Sequence, residues 1–471
     1  MYSIGFYLFE EYSSDHFLLT NDLGRYVFLG RDAFAAMRSK TLNPESKEYI
    51  LLRDNGFIYE VSDQEYVREW QNCYYNTKEC LLSSTQLFIL ALTTACNQRC
   101  TYCQAGRQNR SFSMTKETCR RAIEIAFQSP SSYITIEFQG GEPTLNPDVL
   151  RFAVPYAKKL AYECGKQVQF AIVTNLTAPD PELLEWLISE GVSISTSLDG
   201  HQKLHDENRP LATVESAYQK WKEGLELCRS LYIKHGLKGE VGAIETTTKS
   251  SLSYPKEIVN AYIDNGYHTL YIRPMTPLGC AVEEWSRIGY SAEEFLLFYT
   301  SILDELFLRC KEGYSITETT ASLYLKRILC HESVGHTELR SPCGAAIGQM
   351  AINYDGQVYT CDEGRMLANM GDHTFRLGSV KDTYEQLVTS PVAHATCTAS
   401  CIETLPLCSR CVYSPFCSVC PVVNFSCEHD LISRDPKGYK CTISKGILRY
   451  LIERVDSATD EDLEILYRWA N

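Results

Sequence analysis

The sequence predicts an α/β protein in three parts: a small α+β N-terminal domain, a partial (β/α)6 barrel of the TIM type, and a cysteine-rich C-terminal domain. Between about residues 86 and 312, short β-branched segments alternate with longer segments of helical period, which is typical of βα units around a parallel sheet. No cysteine precedes Cys73, whereas twelve of the 21 cysteines follow residue 300. We therefore predict domains at residues 1–85, 86–325 and 326–471, the last ending in a helix.

The composition is that of a globular protein with no nucleic-acid or membrane partner. Of the 471 residues, 44% are hydrophobic and 22% charged, and the net charge is −14. That charge argues against a general nucleic-acid or anionic-membrane surface. The first residues lack a basic segment of the kind that starts an export signal, and no apolar run is long enough to cross a bilayer. We therefore expect a cytoplasmic protein whose cysteines are buried side chains or metal ligands.

Six barrel strands are predicted, each followed by a helical segment: residues 87–93, 133–138, 168–174, 192–197, 241–244 and 269–272. In such barrels the loops at the carboxyl ends of the strands carry the chemistry. The polar residues in those loops are therefore the candidate site. Four cysteines in the helical segments are instead predicted to be buried packing residues: Cys119, Cys164, Cys228 and Cys310.

The loop after the first strand reads ACNQRCTYCQAG and contains Cys96, Cys100 and Cys103. Three close thiolates can form a disulfide that leaves one thiol over, bind zinc with a fourth ligand, or hold an iron–sulfur cluster. Because structural zinc sites use four protein ligands, a set of three favours a four-iron cluster with one iron left open. The alternatives are a thioredoxin-like pair at Cys100 and Cys103 or a chance cluster of cysteines.

The other loops contribute polar or glycine residues where a nucleotide-sized ligand could bind. The second strand is followed by QGGEP, in which two glycines let the backbone approach a ligand and a glutamate can accept a hydrogen bond from an amine. Later loops offer hydroxyl, amide and guanidinium groups, the last suited to a carboxylate. The candidate cofactor-binding residues are Tyr102, Gly140, Gly141, Glu142, Asn175, Ser197, Arg209 and Glu245.

The C-x3-C-x2-C spacing with Tyr102 before its last cysteine, together with the GGE sequence, resembles the signature of the radical SAM enzymes. The resemblance implies that Cys96, Cys100 and Cys103 hold a 4Fe–4S cluster whose open iron binds S-adenosylmethionine. It also implies that Glu142 lies at the amino group of the methionine moiety. Enzymes of this kind cleave S-adenosylmethionine to a 5′-deoxyadenosyl radical that removes hydrogen from an unactivated carbon.

The last part of the chain contains two further cysteine patterns. Cys343 and Cys361 flank a predicted hairpin with its turn at residues 354–356, and CSRCVYSPFCSVCP follows. The remaining cysteines of the pattern are Cys408, Cys411, Cys417, Cys420, Cys427 and Cys441. Paired C-x2-C sequences are also found in zinc ribbons, so the spacing alone leaves zinc open.

The order of these cysteines resembles the SPASM extension of radical SAM peptide-modifying enzymes, which holds two auxiliary 4Fe–4S clusters. The resemblance assigns Cys343, Cys361 and Cys420 to the first cluster. It assigns the second cluster to four residues: Cys408, Cys411, Cys417 and Cys441. Two residues rather than three separate Cys417 from Cys420, and the seventeen residues between Cys343 and Cys361 also exceed the pattern. The first cluster lacks one ligand, for which the candidates are Cys330, Cys427, Cys401 or an open iron.

The first domain is predicted to contain two strands joined at residues 21–24, a short helix, and a further helix that ends near Gly56. It resembles the small winged-helix-type domain that binds leader peptides through a strand edge. A structural cap on the barrel is the alternative.

The combination of motifs is similar to the maturases of His-Xaa-Ser repeat peptides. This implies an oxidoreductase that modifies a ribosomally made precursor peptide, forms an intrapeptide cross-link, and receives electrons from a donor such as flavodoxin or ferredoxin. Asp362, beside Cys361, is the candidate catalytic base. The alternative is that Asp362 is only a structural residue of a turn. Two other functions stay open: an anaerobic sulfatase maturase that forms formylglycine, and a non-enzymatic zinc or redox module.

Overall fold

The computed structural model describes residues 2–106, 110–432 and 435–471. The first part contains the predicted hairpin, its turn fixed by Asn21, whose side-chain oxygen accepts from the backbone N–H of Leu23 and Arg25. An additional strand extends the hairpin to a three-stranded antiparallel sheet. The elements are β1 Ser3–Ile4, β2 Leu8–Glu11, β3 His16–Thr20, β4 Tyr26–Gly30, α1 Arg31–Ser39, α2 Lys47–Asp54, β5 Ile58–Tyr59 and α3 Asp63–Lys78.

The second part is the predicted parallel α/β barrel segment, with strand order β12-β10-β9-β8-β7-β6. The predicted sixth strand is divided: β11 pairs with β13, and β12 pairs with β10. The elements are β6 Leu87–Ala91, α4 Lys116–Gln128, β7 Tyr133–Gln139, α5 Pro147–Cys164, β8 Gln167–Val173, α6 Pro181–Ser189, β9 Val192–Ser197, α7 Gln202–Asn208, α8 Ala217–Lys234, β10 Gly242–Thr246, α9 Pro255–Asp264, β11 Thr269–Leu270, β12 Ile272–Arg273, α10 Cys280–Ile288, α11 Ala292–Lys311, β13 Thr317–Glu318 and α12 Thr319–Leu329.

The last part continues the barrel sheet. Its first strand, β14, runs parallel to β6, with Gln349 opposite Leu87. The next two strands, β15 and β16, follow as an antiparallel meander. The boundary predicted at residue 325 therefore does not separate two sheets. The elements are β14 Gln349–Ile352, β15 Gln357–Tyr359, α13 Asp362–Asn369, β16 Arg376–Ser379, α14 Tyr384–Val388, α15 Pro391–Ser400, α16 Pro421–Glu428, α17 Tyr439–Asp456 and α18 Asp460–Ala470.

The first domain has a small core of its own, which includes Leu19, Val27, Phe34 and Met37. It packs against the C-terminal part of the chain. Thr20 Oγ1 donates a hydrogen bond to the carbonyl of Val412 at 2.7 Å, and Lys78 Nζ donates to the carbonyl of Ser341 at 3.0 Å. The domain is thus fixed beside the cysteine-rich loops.

Three of the four cysteines predicted to be packing residues are buried, namely Cys119, Cys228 and Cys310. The prediction for Cys164 is wrong. It is exposed because it is the last residue of α5, next to the capping Gly165. Among the described residues, no helix combines the length and the apolar character needed to cross a membrane.

Candidate functional site

The loops after β6 and β7 are held together by backbone contacts that require glycine. A Cβ on Gly140 would lie 2.4 Å from the carbonyl oxygen of Thr93, and one on Gly141 would lie 2.2 Å from that of Ala95. The N–H of Gly141 donates to Thr93 O at 2.7 Å, and the N–H of Glu142 donates to Ala95 O at 2.8 Å. The GGE sequence therefore supports the backbone that leads directly into Cys96.

Glu142 is buried at the centre of three loops. Its Oε1 accepts hydrogen bonds from the N–H of Thr144 at 3.1 Å, from Thr144 Oγ1 at 2.7 Å and from Thr174 Oγ1 at 2.8 Å. Its Oε2 accepts from the N–H of Asn175 at 2.8 Å. Burial raises the pKa of Glu142, and these donors oppose the rise. Oε2 accepts from one donor whereas Oε1 accepts from three, so Oε2 keeps the capacity to accept from an amine.

The three cysteines of the triplet loop lie close enough for each to raise the pKa of another. Burial raises the pKa of Cys100 to about 12, and Cys103 adds to that rise. Burial likewise raises the pKa of Cys103 to about 11, and Cys280 and Cys96 add to it. Asn175 Nδ2 lies 3.8 Å from Cys96 Sγ and donates to Asn97 Oδ1 at 2.7 Å. Metal ligation requires thiolates. Because these thiols resist ionisation by themselves, the set fits a site whose positive charge comes from bound iron.

Within residues 2–106, 110–432 and 435–471, no three cysteine, histidine or carboxylate side chains are grouped tightly enough to mark a metal ion by position alone. What fits iron–sulfur clusters is the sulfur chemistry of these donors, together with their burial and the charges beside them. Sulfur donors in dry surroundings suit such clusters.

Tyr102 and Arg209 both contact Asp199, which follows the predicted Ser197 at the end of β9. The Tyr102 hydroxyl donates to Asp199 Oδ2 at 2.7 Å, and Arg209 Nε donates to Asp199 Oδ1 at 3.0 Å. The guanidinium carbon of Arg209 lies 5.2 Å from the Tyr102 ring centroid. Arg209, expected to pair with a cofactor carboxylate, thus pairs with a carboxylate of the chain, and its contact with a cofactor stays a prediction.

Glu245 is fully buried behind this network. Thr247 Oγ1 donates to Glu245 Oε2 at 2.7 Å. Burial raises the pKa of Glu245 well above its usual range, and the nearby Asp199 carboxylate adds to the rise. Its surroundings therefore favour the neutral carboxyl form, and contact of Glu245 with a cofactor stays a prediction. Ser197 lies opposite Ile244 in the β9–β10 pairing, at the same edge of the sheet.

His205 is a buried histidine that makes folding depend on pH. The N–H of Asp199 donates to His205 Nδ1 at 3.4 Å, and burial lowers the pKa of His205 from 6.5 to about 4 although Asp199 opposes this. Because the folded pKa is the lower one, the stabilisation is complete above about pH 6.5 and is lost as the pH falls from 6.5 towards 4.

We expect the contribution of His205 to the free energy of unfolding to fall by about 1 kcal/mol between pH 7.5 and 5.5. Urea unfolding at both pH values should show this extra loss in the wild type relative to His205→Gln. Equal losses in the two proteins would contradict the assignment.

Cys280 was not predicted and lies beside the triplet loop. Its N–H donates to the carbonyl of Cys103 at 2.9 Å, and a Cβ on the preceding Gly279 would lie 2.4 Å from the same oxygen. The sequence carried no signal for this contact, because Cys280 follows the divided sixth strand and belongs to no cysteine pattern.

Cys343, Cys361 and Cys420 belong to one apolar group with Leu278 and Phe375. Burial raises the pKa of Cys343 to about 12, and Cys420 adds to the rise. Neither Cys330, at the C-terminal end of α12, nor Cys401, whose Sγ lies 3.4 Å from Glu403 Oε2, belongs to this apolar group. The structure therefore assembles the three cysteines but does not bring Cys330 to them.

Charged groups of the chain surround this first C-terminal cysteine group. Arg273 Nη2 lies 3.3 Å from Glu338 Oε1 and 3.6 Å from Glu363 Oε1. Burial and the Glu363 carboxylate raise the pKa of Cys361. Arg273, Glu338 and Glu363 thus form a part-buried charged cluster beside Cys361.

The second C-terminal group is held by a short turn and the start of α17. The N–H of Cys411 donates to Cys408 O at 3.0 Å, and that of Cys417 donates to Tyr413 O at 3.0 Å. Burial raises the pKa of Cys417 to about 12, and Cys411, Cys441 and Cys408 each raise it further. The four residues assigned to the second cluster therefore lie near one another.

Asp362 begins α13, directly after Cys361. Its Oδ1 accepts from Arg365 Nε at 2.7 Å and lies 2.6 Å from Arg365 Nη2. Burial raises the pKa of Glu137 on β7, and the Asp362 carboxylate contributes to the rise. Asp362 therefore lies near the barrel strand that leads to Gly140.

Helix α13 joins the first C-terminal cysteine group to the triplet loop. Cys361 caps its first turn, and at its other end Asn369 Nδ2 donates to the carbonyl of Ala105 at 3.0 Å. The N–H of Gly279 donates to Met370 Sδ at 3.0 Å. Eight helical residues span about 12 Å. Two cysteine groups and Asp362 are thus arranged along one short helix.

Comparison with known proteins identifies the barrel. A model of the Radical SAM superfamily matches residues 90–252. An uncharacterized protein of Methanothermobacter thermautotrophicus is 30% identical over 213 residues, which are 43% of this chain and 73% of that protein. An uncharacterized protein of Methanocaldococcus jannaschii is 28% identical over 190 residues, which are 40% of this chain and 62% of that protein. A cysteine-type anaerobic sulfatase-maturating enzyme of Clostridium novyi is 22% identical over 346 residues, 71% of this chain and 87% of that enzyme.

Two solved structures share the fold. Native anSMEcpe with bound AdoMet superposes with a TM-score of 0.67 at 19% identity, covering 81% of this chain and all of that one. Streptococcus suis SuiB bound to precursor peptide SuiA gives a TM-score of 0.54 at 14% identity, covering 94% of this chain and all of that one. The likeness extends beyond the barrel into the cysteine-rich part.

Proposed function

The chain belongs to the radical SAM superfamily, and we propose that it is a maturase that modifies a ribosomally synthesised peptide with the help of two auxiliary clusters. The observation that supports this most directly is α13, which connects Cys361 and Asp362 to the loop of the triplet cysteines. Such an arrangement suits a reaction in which a substrate is first attacked at one site and then oxidised at the next.

The residues at the carboxyl ends of β6 to β8 would hold the first cluster and S-adenosylmethionine. Cys96, Cys100 and Cys103 are the proposed ligands, and Glu142 Oε2 offers an acceptor for an amino group. When bound, the pair supplies a carbon radical that removes hydrogen from an unactivated carbon, a step beyond the reach of side-chain acids and bases. Gly140 and Gly141 keep the loops in contact without side chains between them.

The two C-terminal cysteine groups would each hold a 4Fe–4S cluster. Such clusters exchange single electrons. Cys343, Cys361 and Cys420 form the nearer set and leave one coordination position to another ligand or to substrate. The farther set, from Cys408 to Cys441, adjoins the N-terminal domain at Val412. We propose that this path receives the electron that a substrate loses after hydrogen abstraction.

Asp362 is the proposed acceptor for the proton lost with that electron. Its carboxylate is oriented by Arg365 and lies near Glu137 of the barrel. After loss of a hydrogen atom, one electron and one proton, a substrate carbon can close a new bond. We propose an intrapeptide cross-link, as in the maturases of His-Xaa-Ser peptides. A reduced flavodoxin or ferredoxin in the cytoplasm would supply the electron that starts the reaction.

A sulfatase-maturase activity is the second candidate. It is favoured by the 22% identity over 346 residues to the Clostridium novyi enzyme. Such an enzyme oxidises a cysteine or serine side chain to formylglycine, so its product differs in mass from a cross-linked peptide. The third candidate, a zinc or redox module without catalysis, is decided by metal content.

Replacement of Asp362 by asparagine tests the second half of the reaction. We expect Asp362→Asn to cleave S-adenosylmethionine at the wild-type rate but to lose nearly all modified product, because an amide cannot take up the proton. Mass spectrometry of a candidate precursor peptide produced together with the enzyme measures the product, and 5′-deoxyadenosine measures the cleavage.

The matched control is Asp355→Asn, which changes an exposed acid in the nearby hairpin turn. That variant should retain both activities. An Asp362→Asn enzyme with wild-type product yield would remove Asp362 from the mechanism.

A further inference from the structure

The triplet loop forms a short antiparallel ladder with the end of α7 and the residues that follow it. The N–H of Thr101 donates to the carbonyl of Asn208 at 2.8 Å, and the N–H of Arg99 donates to that of Pro210 at 2.8 Å. Thr101 and Arg99 are the two neighbours of Cys100. The backbone on both sides of this cysteine is therefore fixed by hydrogen bonds.

The ladder extends towards Cys96. Gln98 pairs with Leu211 in an antiparallel bridge, and the N–H of Ala212 donates to the carbonyl of Asn97 at 3.1 Å. All three residues between the first two cysteines of the triplet are thus paired with this second strand of the ladder.

One buried carboxylate, that of Asp199, holds both strands of the ladder. The Tyr102 hydroxyl donates to its Oδ2 at 2.7 Å, and Arg209 Nε donates to its Oδ1 at 3.0 Å. Tyr102 directly follows the triplet strand of the ladder, and Arg209 lies within the opposite strand. Asp199 is fully buried, and Tyr102 and Arg209 are 5% and 8% exposed. The three side chains therefore tie the two strands together in a place that water does not reach.

Asp199 is itself fixed to the barrel. It lies two residues beyond Ser197, the last residue of β9. Its N–H donates to Nδ1 of His205 in α7 at 3.4 Å. A carboxylate that is held by its backbone and that accepts a charge-assisted hydrogen bond from a guanidinium is a firm anchor for a neighbouring loop.

The GGE loop holds a different part of the triplet loop. The N–H of Glu142 donates to the carbonyl of Ala95 at 2.8 Å, which fixes the chain just before Cys96. The ladder and Asp199 hold the chain from there to Tyr102, the residue before Cys103. Loss of the contact with Asp199 should therefore disturb the end of the triplet loop and leave its start in place.

We propose that Asp199 is a positioning residue that, through Tyr102 and Arg209, sets the geometry of the triplet loop and with it the affinity of the site for S-adenosylmethionine. This inference rests on the first cluster of the proposed function, and it requires neither the auxiliary clusters nor a peptide. A ligand-binding loop that is displaced by about 1 Å loses much of the function that depends on its geometry.

The test removes a single hydroxyl group. Tyr102→Phe keeps the aromatic ring and the pair of Asp199 with Arg209 but loses the hydrogen bond to Asp199. We expect S-adenosylmethionine to bind about tenfold more weakly, the order of magnitude of one hydrogen bond to a charged group. Anaerobic equilibrium dialysis of the full reconstituted chain measures the dissociation constant, and iron content, expected to be unchanged, is measured on the same sample.

A spectroscopic readout separates positioning from general stability. S-adenosylmethionine should change the electron paramagnetic resonance spectrum of the reduced protein only through the triplet cluster, because only that cluster has the proposed site for it. In Tyr102→Phe this change should differ from that of the wild type at saturating S-adenosylmethionine. A loss of folding stability alone would not produce such a difference.

The matched control is Tyr299→Phe. Tyr299 is also a buried tyrosine whose hydroxyl donates to a buried carboxylate, that of Glu318, and it lies on α11, outside the triplet loop and its ladder. Because both variants lose one buried hydrogen bond to a carboxylate, an effect of stability alone would appear in both. Tyr299→Phe should bind S-adenosylmethionine like the wild type.

A double-mutant cycle tests whether the Tyr102 hydroxyl acts through Asp199. In the Asp199→Ala background, Tyr102→Phe should weaken binding by much less than tenfold, because the hydroxyl has already lost its acceptor. Asp199→Ala leaves the Arg209 guanidinium buried without its anion. If that variant does not fold, Asp199→Asn takes its place, and Tyr102→Phe should again add less than tenfold.

Three results would overturn the inference: wild-type affinity of Tyr102→Phe, equal losses of affinity in Tyr102→Phe and Tyr299→Phe, or a full tenfold effect of Tyr102→Phe in the Asp199 variant. Each would leave the proposed peptide maturase intact. Loss of four irons per chain in Tyr102→Phe but not in Tyr299→Phe would support the same positioning role, because the cysteine geometry would then depend on the hydroxyl. A wild-type enzyme that binds no S-adenosylmethionine would contradict the proposed function and this inference together.

Discussion

Cys100→Ala is expected to reduce cleavage of S-adenosylmethionine to the background level. The Cys100 thiol lies in the triplet loop, and burial raises its pKa to about 12, which favours the neutral thiol until a metal binds. Two remaining cysteines cannot hold the cluster that binds and reduces S-adenosylmethionine. Formation of 5′-deoxyadenosine after addition of dithionite measures the loss and requires no peptide.

The control for this experiment is Cys164→Ala, which removes an exposed cysteine at the end of α5. It should cleave S-adenosylmethionine like the wild type. Wild-type formation of 5′-deoxyadenosine by Cys100→Ala would refute the assignment of the triplet loop.

Gly141→Ala is expected to lower the cleavage of S-adenosylmethionine by about 100-fold, although it adds a single methyl group. The new Cβ would lie 2.2 Å from the carbonyl oxygen of Ala95 and 2.7 Å from its carbonyl carbon. Both are backbone atoms of the residue before Cys96, so the loop must move to relieve the contact. Iron content and 5′-deoxyadenosine formation, measured together, report the displacement.

Gly30→Ala provides a matched substitution without a clash. Gly30 has a φ of −62°, and a Cβ there meets nothing within 4 Å. This variant should keep the iron and the activity of the wild type. If Gly141→Ala behaved in the same way, the contact between the GGE loop and the triplet loop would not matter for the site.

Local patterns in the sequence predicted most of the barrel. The strands at residues 133–138 and 192–197 were found because buried parallel strands are short β-branched runs between helical segments. The hairpin around Gly356 followed from its turn residues. Each of these signals lies within a few neighbouring residues.

Features that depend on distant residues were missed. The pairing of β14 with β6 joins residues more than 250 positions apart, and no local pattern specifies it. The hydrogen bond from Tyr102 to Asp199 and the approach of Cys280 to Cys103 likewise join loops that are far apart in the sequence. A motif shows which residue types are present, whereas packing decides which partner each side chain meets.

The fourth ligand of the first auxiliary cluster is another feature that the sequence alone does not specify. Cys330 is one candidate for this position, but it ends α12 and does not belong to the apolar group that contains Cys343, Cys361 and Cys420. Glu363 and Glu338, which lie near these cysteines, belong to no cysteine pattern. The residues around a cluster are therefore set by the folded chain and not by the order of its cysteines.

The measurement that tests the account most directly is the content of iron, sulfide and zinc per chain after anaerobic purification and reconstitution. Three cysteine groups that each hold a 4Fe–4S cluster predict about twelve irons with matching sulfide. About four irons with two zinc ions would contradict the account. The C-terminal cysteines would then form a structural or binding module, and radical chemistry would be confined to the barrel.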